Sequence, residues 1–280
     1  MSPKRTSTAA AAALAPDRIQ AAFDRCKAAG EGALVTYVMG GDPDPATSKA
    51  MALACVEGGA DLLELGVPFS DPIADGPTIQ AAAQRALARG TTLDDVLDVA
   101  RAVRARSQIP IALMGYLNPL IAAGAEPLMA RCTEAGVDAL IIPDLLPEEA
   151  GLLAPAAQAA GVKLVYLLAP TSNPTRVANA VKAASGFLYF VSVTGVTGAQ
   201  QAVADEIRPL VEKVRKATSL PVVIGFGVST PEQARTLSPL ADGVVVGSAI
   251  VKKIAEGGSR AERSARVARY VRSLKKALRR

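Results

Sequence analysis

Eight short apolar stretches, at residues 33–39, 61–67, 109–114, 138–142, 162–168, 187–193, 220–224 and 242–246, punctuate the chain. Each is rich in Val, Ile and Leu and lacks the strict apolar–polar alternation of a strand with one wet face. Such runs suit strands buried on both faces, as in a parallel sheet. Between them lie alanine-rich segments of helical character, including 45–57, 78–89 and 202–217. Three helix-to-strand joints share a form: Gly58-Gly59-Ala60-Asp61, Gly136-Val137-Asp138 and Gly161-Val162-Lys163. Glycine after a helical run is the expected left-handed stop. Eight buried strands alternating with helices predict a (β/α)8 TIM barrel with extra helices. A doubly wound open sheet is the alternative, but no G-x-G-x-x-G turn follows the first run. Half of the residues are hydrophobic and only 4% aromatic, so the core is expected to be aliphatic. No linker divides the chain. Residues 17–280 are expected to form one barrel domain, and the Ser/Thr/Ala-rich residues 1–16 a disordered leader.

The sequence contains no histidine. That excludes Ser-His-Asp and Cys-His nucleophile systems, His-ligated zinc and imidazole acid–base chemistry. The three cysteines, Cys26, Cys55 and Cys132, form no C-x-x-C pair, so no metal site is expected. Their odd number argues for a reducing compartment, and a cytoplasmic location is expected. No apolar run approaches the ~20 residues of a membrane span.

A barrel carries its chemistry at the C-terminal ends of its strands. After the last three predicted strands come Gly195-Val196-Thr197-Gly198, Gly225-Phe226-Gly227-Val228-Ser229 and Gly247-Ser248-Ala249. Glycine lets backbone N–H groups approach an anion, and Gly247-Ser248 also opens a helical run. Together they point to a phosphate site; tight turns alone are the bland alternative. Glu64 stands inside the second apolar run, where burial raises a carboxyl pKa and suits it to proton shuttling near neutrality. A structural salt bridge or a partly open strand end is the competing reading. Asp71 and Asp75 lie in the proline-rich loop that follows, and either could cap a turn or a helix. Turn capping is likewise the default reading for Asp42 and Asp144. No lysine lies in the sixth run, and Lys163 sits at the wrong end of the fifth, which disfavours Schiff-base chemistry.

Charge is unevenly spread. Residues 259–280 hold nine Arg and Lys and one Glu, a net +8 in a chain of net +5, so the remainder is at −3. Val267, Tyr270, Val271, Leu274 and Leu278 recur there at helical spacing, which predicts a last amphipathic helix with a solvated basic face. Neither nucleic-acid nor membrane binding is expected.

The segment Glu64-Leu65-Gly66-Val67-Pro68-Phe69-Ser70-Asp71-Pro72-Ile73-Ala74-Asp75-Gly76-Pro77-Thr78-Ile79-Gln80 resembles the signature of the tryptophan synthase α chain family. Gly41-Asp42-Pro43, Ile142-Pro143-Asp144-Leu145 and the three glycine clusters match in the same order, and the resemblance spans roughly residues 17–275. It implies retro-aldol cleavage of indole-3-glycerol phosphate to indole and glyceraldehyde 3-phosphate. By resemblance, Glu64 is the catalytic acid–base and Asp75 holds the indole N–H. Gly198, Gly227, Gly247 and Ser248 form the phosphate cradle. Thr197 lies on the closing loop, Tyr189 beside the glutamate, and Tyr37, Met114 and Tyr116 along the indole pocket. The resemblance also implies a β-chain partner in an α2β2 heterotetramer, faced by Asp71. Pyridoxal phosphate is expected in that partner, with no cofactor in this chain. A related phosphate-binding barrel isomerase or synthase, and a non-catalytic phospho-ligand sensor, are the alternative functions.

Overall fold

A computed structural model describes residues 17–191, 200–225 and 227–279. Its strands are β1 (Ala33–Met39), β2 (Leu62–Gly66), β3 (Ile111–Met114), β4 (Ala139–Ile141), β5 (Lys163–Leu168), β6 (Leu188–Val191), β7 (Val222–Gly225) and β8 (Gly243–Val246). All pair in parallel, in sequence order, and β8 closes on β1 to make a barrel. The helices are α1 (Arg18–Ala28), α2 (Pro45–Glu57), α3 (Pro77–Leu87), α4 (Leu93–Arg104), α5 (Leu117–Ile121), α6 (Ala125–Ala135), α7 (Ala154–Ala160), α8 (Pro174–Ala183), α9 (Gln200–Ala217), α10 (Pro231–Leu237), α11 (Ser248–Ala255) and α12 (Arg260–Ala277). The residues 1–16 assigned to a leader lie outside the described residues.

The strands read as unbroken apolar runs because both faces are buried. Along β2, Leu63 and Leu65 pack into the shell between strands and helices, while Leu62 faces the barrel interior. The interior is closed at its N-terminal end by α1. Ile19, Phe23 and Cys26 of that helix pack beneath the strands, with the Phe23 and Phe187 rings 6.0 Å apart. All three cysteines are free and buried.

Local chemistry sets the helix boundaries. Asp17, Asp44 and Asn173 accept first-turn N–H groups of α1, α2 and α8. Thr92 with Asp95, Thr230 with Gln233 and Ser259 with Glu262 form reciprocal capping boxes. Gly136 (φ 76°) and Gly161 (φ 73°) end α6 and α7 in the left-handed region, as expected. At the first joint the left-handed residue is the second glycine, Gly59 (φ 95°), and Gly58 stays helical.

A repeated device anchors the N-terminal rim. Asp61, Asp138 and Asp242 each immediately precede or begin the approach to a strand. Each accepts an N–H at the start of the neighbouring strand: Leu34 at 2.9 Å, Ile111 at 2.8 Å and Val222 at 2.9 Å. Each also meets cations: Lys275 at 2.7 Å from Asp61, Arg18 and Arg104 at 2.8 Å from Asp138, and Arg215 at 3.3 Å from Asp242. The basic C-terminal helix is thereby tied to the barrel floor through Lys275. Val267, Val271, Leu274 and Leu278 are buried on its inner face, as the spacing predicts. Among the described residues no helix is long and apolar enough to cross a membrane.

Candidate active site

Strand alternation brings the site together. On β1 and β2, Tyr37 and Glu64 are register partners, and Glu64 in turn pairs with Ala112 of β3. A cavity of about 140 Å³ at the C-terminal mouth is lined by Tyr37, Glu64, Asp75, Ile79, Met114, Tyr189, Gly225, Gly227, Val228, Val245, Gly247 and Ser248. Two glycines make room for the phenols. A Cβ on Gly66 would stand 2.0 Å from the Tyr37 Oη, and one on Gly225 would stand 2.5 Å from the Tyr189 ring.

Glu64 is 1% exposed, and its Oε1 has no hydrogen-bond partner. Burial pushes the carboxyl up to about 8, so it holds its proton at neutrality. The salt-bridge reading of this residue is therefore set aside. Burial also pushes the Tyr37 and Tyr189 phenols well above their usual range, with the nearby Glu64 carboxyl adding to both shifts. Both remain neutral donors.

Asp75 does not cap α3; Gly76 takes that position, with no side-chain cap. Its carboxyl faces the cavity instead. Burial raises its pKa, and a hydrogen bond with the Tyr116 side chain opposes the rise. The loop is braced on both sides. The Ala74 N–H donates to the Tyr116 Oη at 2.9 Å, and the Gln80 Nε2 donates to the Asp75 carbonyl at 2.8 Å. Tyr116 is thus behind the loop, stacked near Phe69 with centroids 5.4 Å apart, and is not part of the cavity lining. Asp71 lies exposed on the outer side of the same loop, hydrogen-bonded to Ser70.

Asp42 and Asp144 are not simple turn caps. Asp42 is buried and takes a two-pronged bond from Arg85 of α3, at 2.7 and 2.9 Å. Asp144 accepts the Leu117 N–H at 2.9 Å, capping α5 from the adjacent strand end. Both contacts span distant sequence, which local motif reading does not reveal.

Opposite the carboxylates, Gly227 has φ 64°, a left-handed conformation that favours glycine, and open space where a Cβ would lie. Gly247 and Ser248 open α11, where the Ser248 and Ala249 N–H groups have no intrahelical acceptor and the Ile250 N–H donates to the Gly247 carbonyl at 2.9 Å. This limb can hold an anion while the other side handles protons. Thr197 and Gly198 lie outside the described residues. Ile79, Val228 and Val245 also line the cavity, and apolarity alone did not single them out. Among the described residues, no cluster of three or more metal-ligating side chains occurs.

Comparisons with known proteins converge. Residues 23–279 match the family model described as tryptophan synthase alpha chain. The tryptophan synthase alpha chain of Citrifermentans bemidjiense is 54% identical over 235 residues, covering 84% of this chain and 88% of that one. The corresponding chain of Geobacter sulfurreducens is 48% identical over 261 residues, covering 93% and 98%. Among solved structures, tryptophan synthase subunit alpha of Legionella pneumophila superposes with TM-score 0.86 at 36% identity, covering 94% of this chain and 99% of that one. A tryptophan synthase chain from M. tuberculosis gives 0.85 at 35% identity, with the same coverage. With this match spanning the barrel from α1 to the end of α12, the chain belongs to the tryptophan synthase alpha chain family.

Proposed function

We propose that Glu64 and Asp75 carry the family's reaction in this chain, the lyase cleavage of indole-3-glycerol phosphate to indole and glyceraldehyde 3-phosphate. The observation that carries the assignment is the Glu64 carboxyl buried inside the barrel, with its Oε1 lacking a hydrogen-bond partner. Glu64 protonates indole C3, giving an indoleninium cation. Asp75 accepts the ring N–H and stabilises that charge. The Glu64 carboxylate then takes the proton of the adjacent glycerol hydroxyl. The C–C bond breaks, its electron pair restores the aromatic indole, and the oxygen becomes the aldehyde carbonyl. A group with a pKa near 8 suits this traffic because it gives and recovers a proton at similar cost.

In this reading Gly227, Gly247 and Ser248, with Gly198, hold the phosphate. Tyr37, Met114 and Tyr189 wall the indole ring, Tyr116 supports Asp75 from behind, and Thr197 belongs to the closing loop. The chain acts as one domain over residues 17–280, in the cytoplasm. It uses no cofactor of its own and assembles as an α2β2 heterotetramer with a β chain that carries pyridoxal phosphate. Asp71, on the exposed side of the loop, faces that chain.

Indole release from indole-3-glycerol phosphate tests the assignment. Glu64→Gln and Asp75→Asn should each lower kcat by about 10²–10⁴-fold, the usual scale for a positioned acid or base. Turnover like that of the wild type in Glu64→Gln would overturn it.

A further inference from the structure

The basic C-terminal helix has a role that its charge does not announce. It lies behind both halves of the proposed phosphate cradle. The Tyr270 Oη donates to the Ser229 carbonyl at 2.8 Å, two residues beyond Gly227 in the loop after β7. Lys253 of α11 sits over the Tyr270 ring, 4.9 Å from its centroid. Two arginines of the same helix grip the far end of α11. Arg263 donates to the carbonyls of Ile254 at 2.7 Å and Gly258 at 2.9 Å. Arg266 donates to those of Lys253 at 3.0 Å and Gly257 at 2.6 Å. One helix therefore fixes the loop bearing Gly227 and the helix opened by Gly247 and Ser248 relative to each other.

The Ser229 segment has a second tether of its own. The Gln233 Oε1 accepts the Ser229 N–H at 2.6 Å, so the loop is held at both its amide and its carbonyl. The amide tether is local to the start of α10. Among the described residues, the hydrogen bond that links this loop to α12, and so to α11, is the Tyr270 bond, spanning 41 residues.

Building on the cradle assignment above, we propose that Tyr270 is a positioning residue for phosphate binding. Its hydroxyl holds the Gly227 loop at the separation from α11 that a phosphate group bridges. Anion binding by backbone N–H groups depends on convergent donors, so a loop free to drift weakens binding without touching the proton chemistry. Tyr270 itself contacts no substrate.

The test compares the full chain with Tyr270→Phe, which keeps the ring over Lys253 and removes only the hydroxyl. KM for indole-3-glycerol phosphate and the inhibition constants of inorganic phosphate and glycerol 3-phosphate are measured, along with the rise in Tm that phosphate produces. Losing one hydrogen bond of ordinary strength corresponds to a change of up to about tenfold. The expected result is a rise of about three- to tenfold in KM and both inhibition constants. kcat should fall less than twofold, and the phosphate-dependent gain in Tm should shrink. Inhibition constants and KM equal to wild type overturn the positioning role while leaving the cradle intact. A wild type that neither binds phosphate nor gains Tm from it overturns the cradle assignment and the positioning role together. A fall in kcat with KM unchanged assigns Tyr270 elsewhere and also overturns the proposal. Ser248→Ala serves as the reference for direct weakening of the cradle.

Discussion

At Glu64 the cost of burying an acid and its use coincide. In an unfolded chain the carboxyl ionises near 4.5, whereas the folded one holds its proton to about 8. Between those pH values the unfolded chain releases a proton that the folded chain retains. Stability therefore falls as pH rises through this window and levels above it. Glu64→Gln, which cannot ionise, should match wild type near pH 4 and exceed it by roughly 3 kcal/mol at pH 7 in denaturant titrations. Equal stability at both pH values would mean that Glu64 is ionised in the fold. The same shift shapes catalysis. kcat/KM should decline above about pH 8 as the acid form is lost, and below a raised Asp75 pKa as that carboxylate is neutralised. A profile flat from pH 6 to 9.5 contradicts the assignment. At Gly66, alanine would drive a Cβ into the Tyr37 hydroxyl, so Gly66→Ala should displace that ring and lower indole release. A crystal structure of the variant with Tyr37 unmoved would show that the strand, rather than the ring, gives way.

At the level of elements, the strands could be read closely from sequence because burial on two faces leaves a simple apolar signature. β1 and α2 occupy the same bounds that their patterns predict. β2, β4, β5, β6 and β8 begin one residue later than their patterns, and β3 and β7 two residues later. Before β2, β4 and β8 that residue is Asp61, Asp138 or Asp242, whose N–H still donates to the neighbouring strand while its side chain accepts from it. Those aspartates, like Asp42 with Arg85 and Asp144 with Leu117, act across long sequence separations, and no local pattern encodes their partners. Their contribution can be measured. Asp138 is 10% exposed at its side chain and Arg104 14%, so Asp138→Ala leaves Arg104 and the Ile111 N–H with lost partners. A loss of about 3 kcal/mol is expected, with KM unchanged, because the site lies at the other end of the barrel. The candidate site was partly legible. Glu64 stood out as a carboxylate in an apolar run and the glycine clusters by composition. Asp75 could not be separated from a helix cap until the loop was seen braced by Tyr116 and Gln80.

For the whole molecule, the +8 carried by residues 259–280 reads differently once placed. Arg263, Arg266, Arg272 and Lys275 spend their charge on carbonyls and carboxylates of α2, α11 and the floor. The helix is a structural wall as much as a charged surface. Its Val271 packs so closely on Gly58 at the end of α2 that a Cβ there would lie 2.6 Å away. A chain stopped at residue 258 should therefore lose cooperative thermal unfolding and bind a hydrophobic dye. A sharp transition near the wild-type Tm would show that α12 is dispensable to the barrel.

The floor helix α1 has a consequence for how such a chain is made. Asp17 and Arg18 reach Lys163 and Asp138 on one side of the barrel, Arg25 reaches Asp61 on the other, and Phe23 lies against Phe187. The helix that leaves the ribosome early thus finds its final neighbours only after β6 has been synthesised. Until then its apolar face of Ile19, Phe23 and Cys26 has only part of its native seat, the earlier strand residues Ala33, Val35, Leu62 and Ala112 of the same cluster. Vectorial synthesis and the barrel's closure run in opposite directions here: α1, made before every strand, is the plug that must wait for the wall around it.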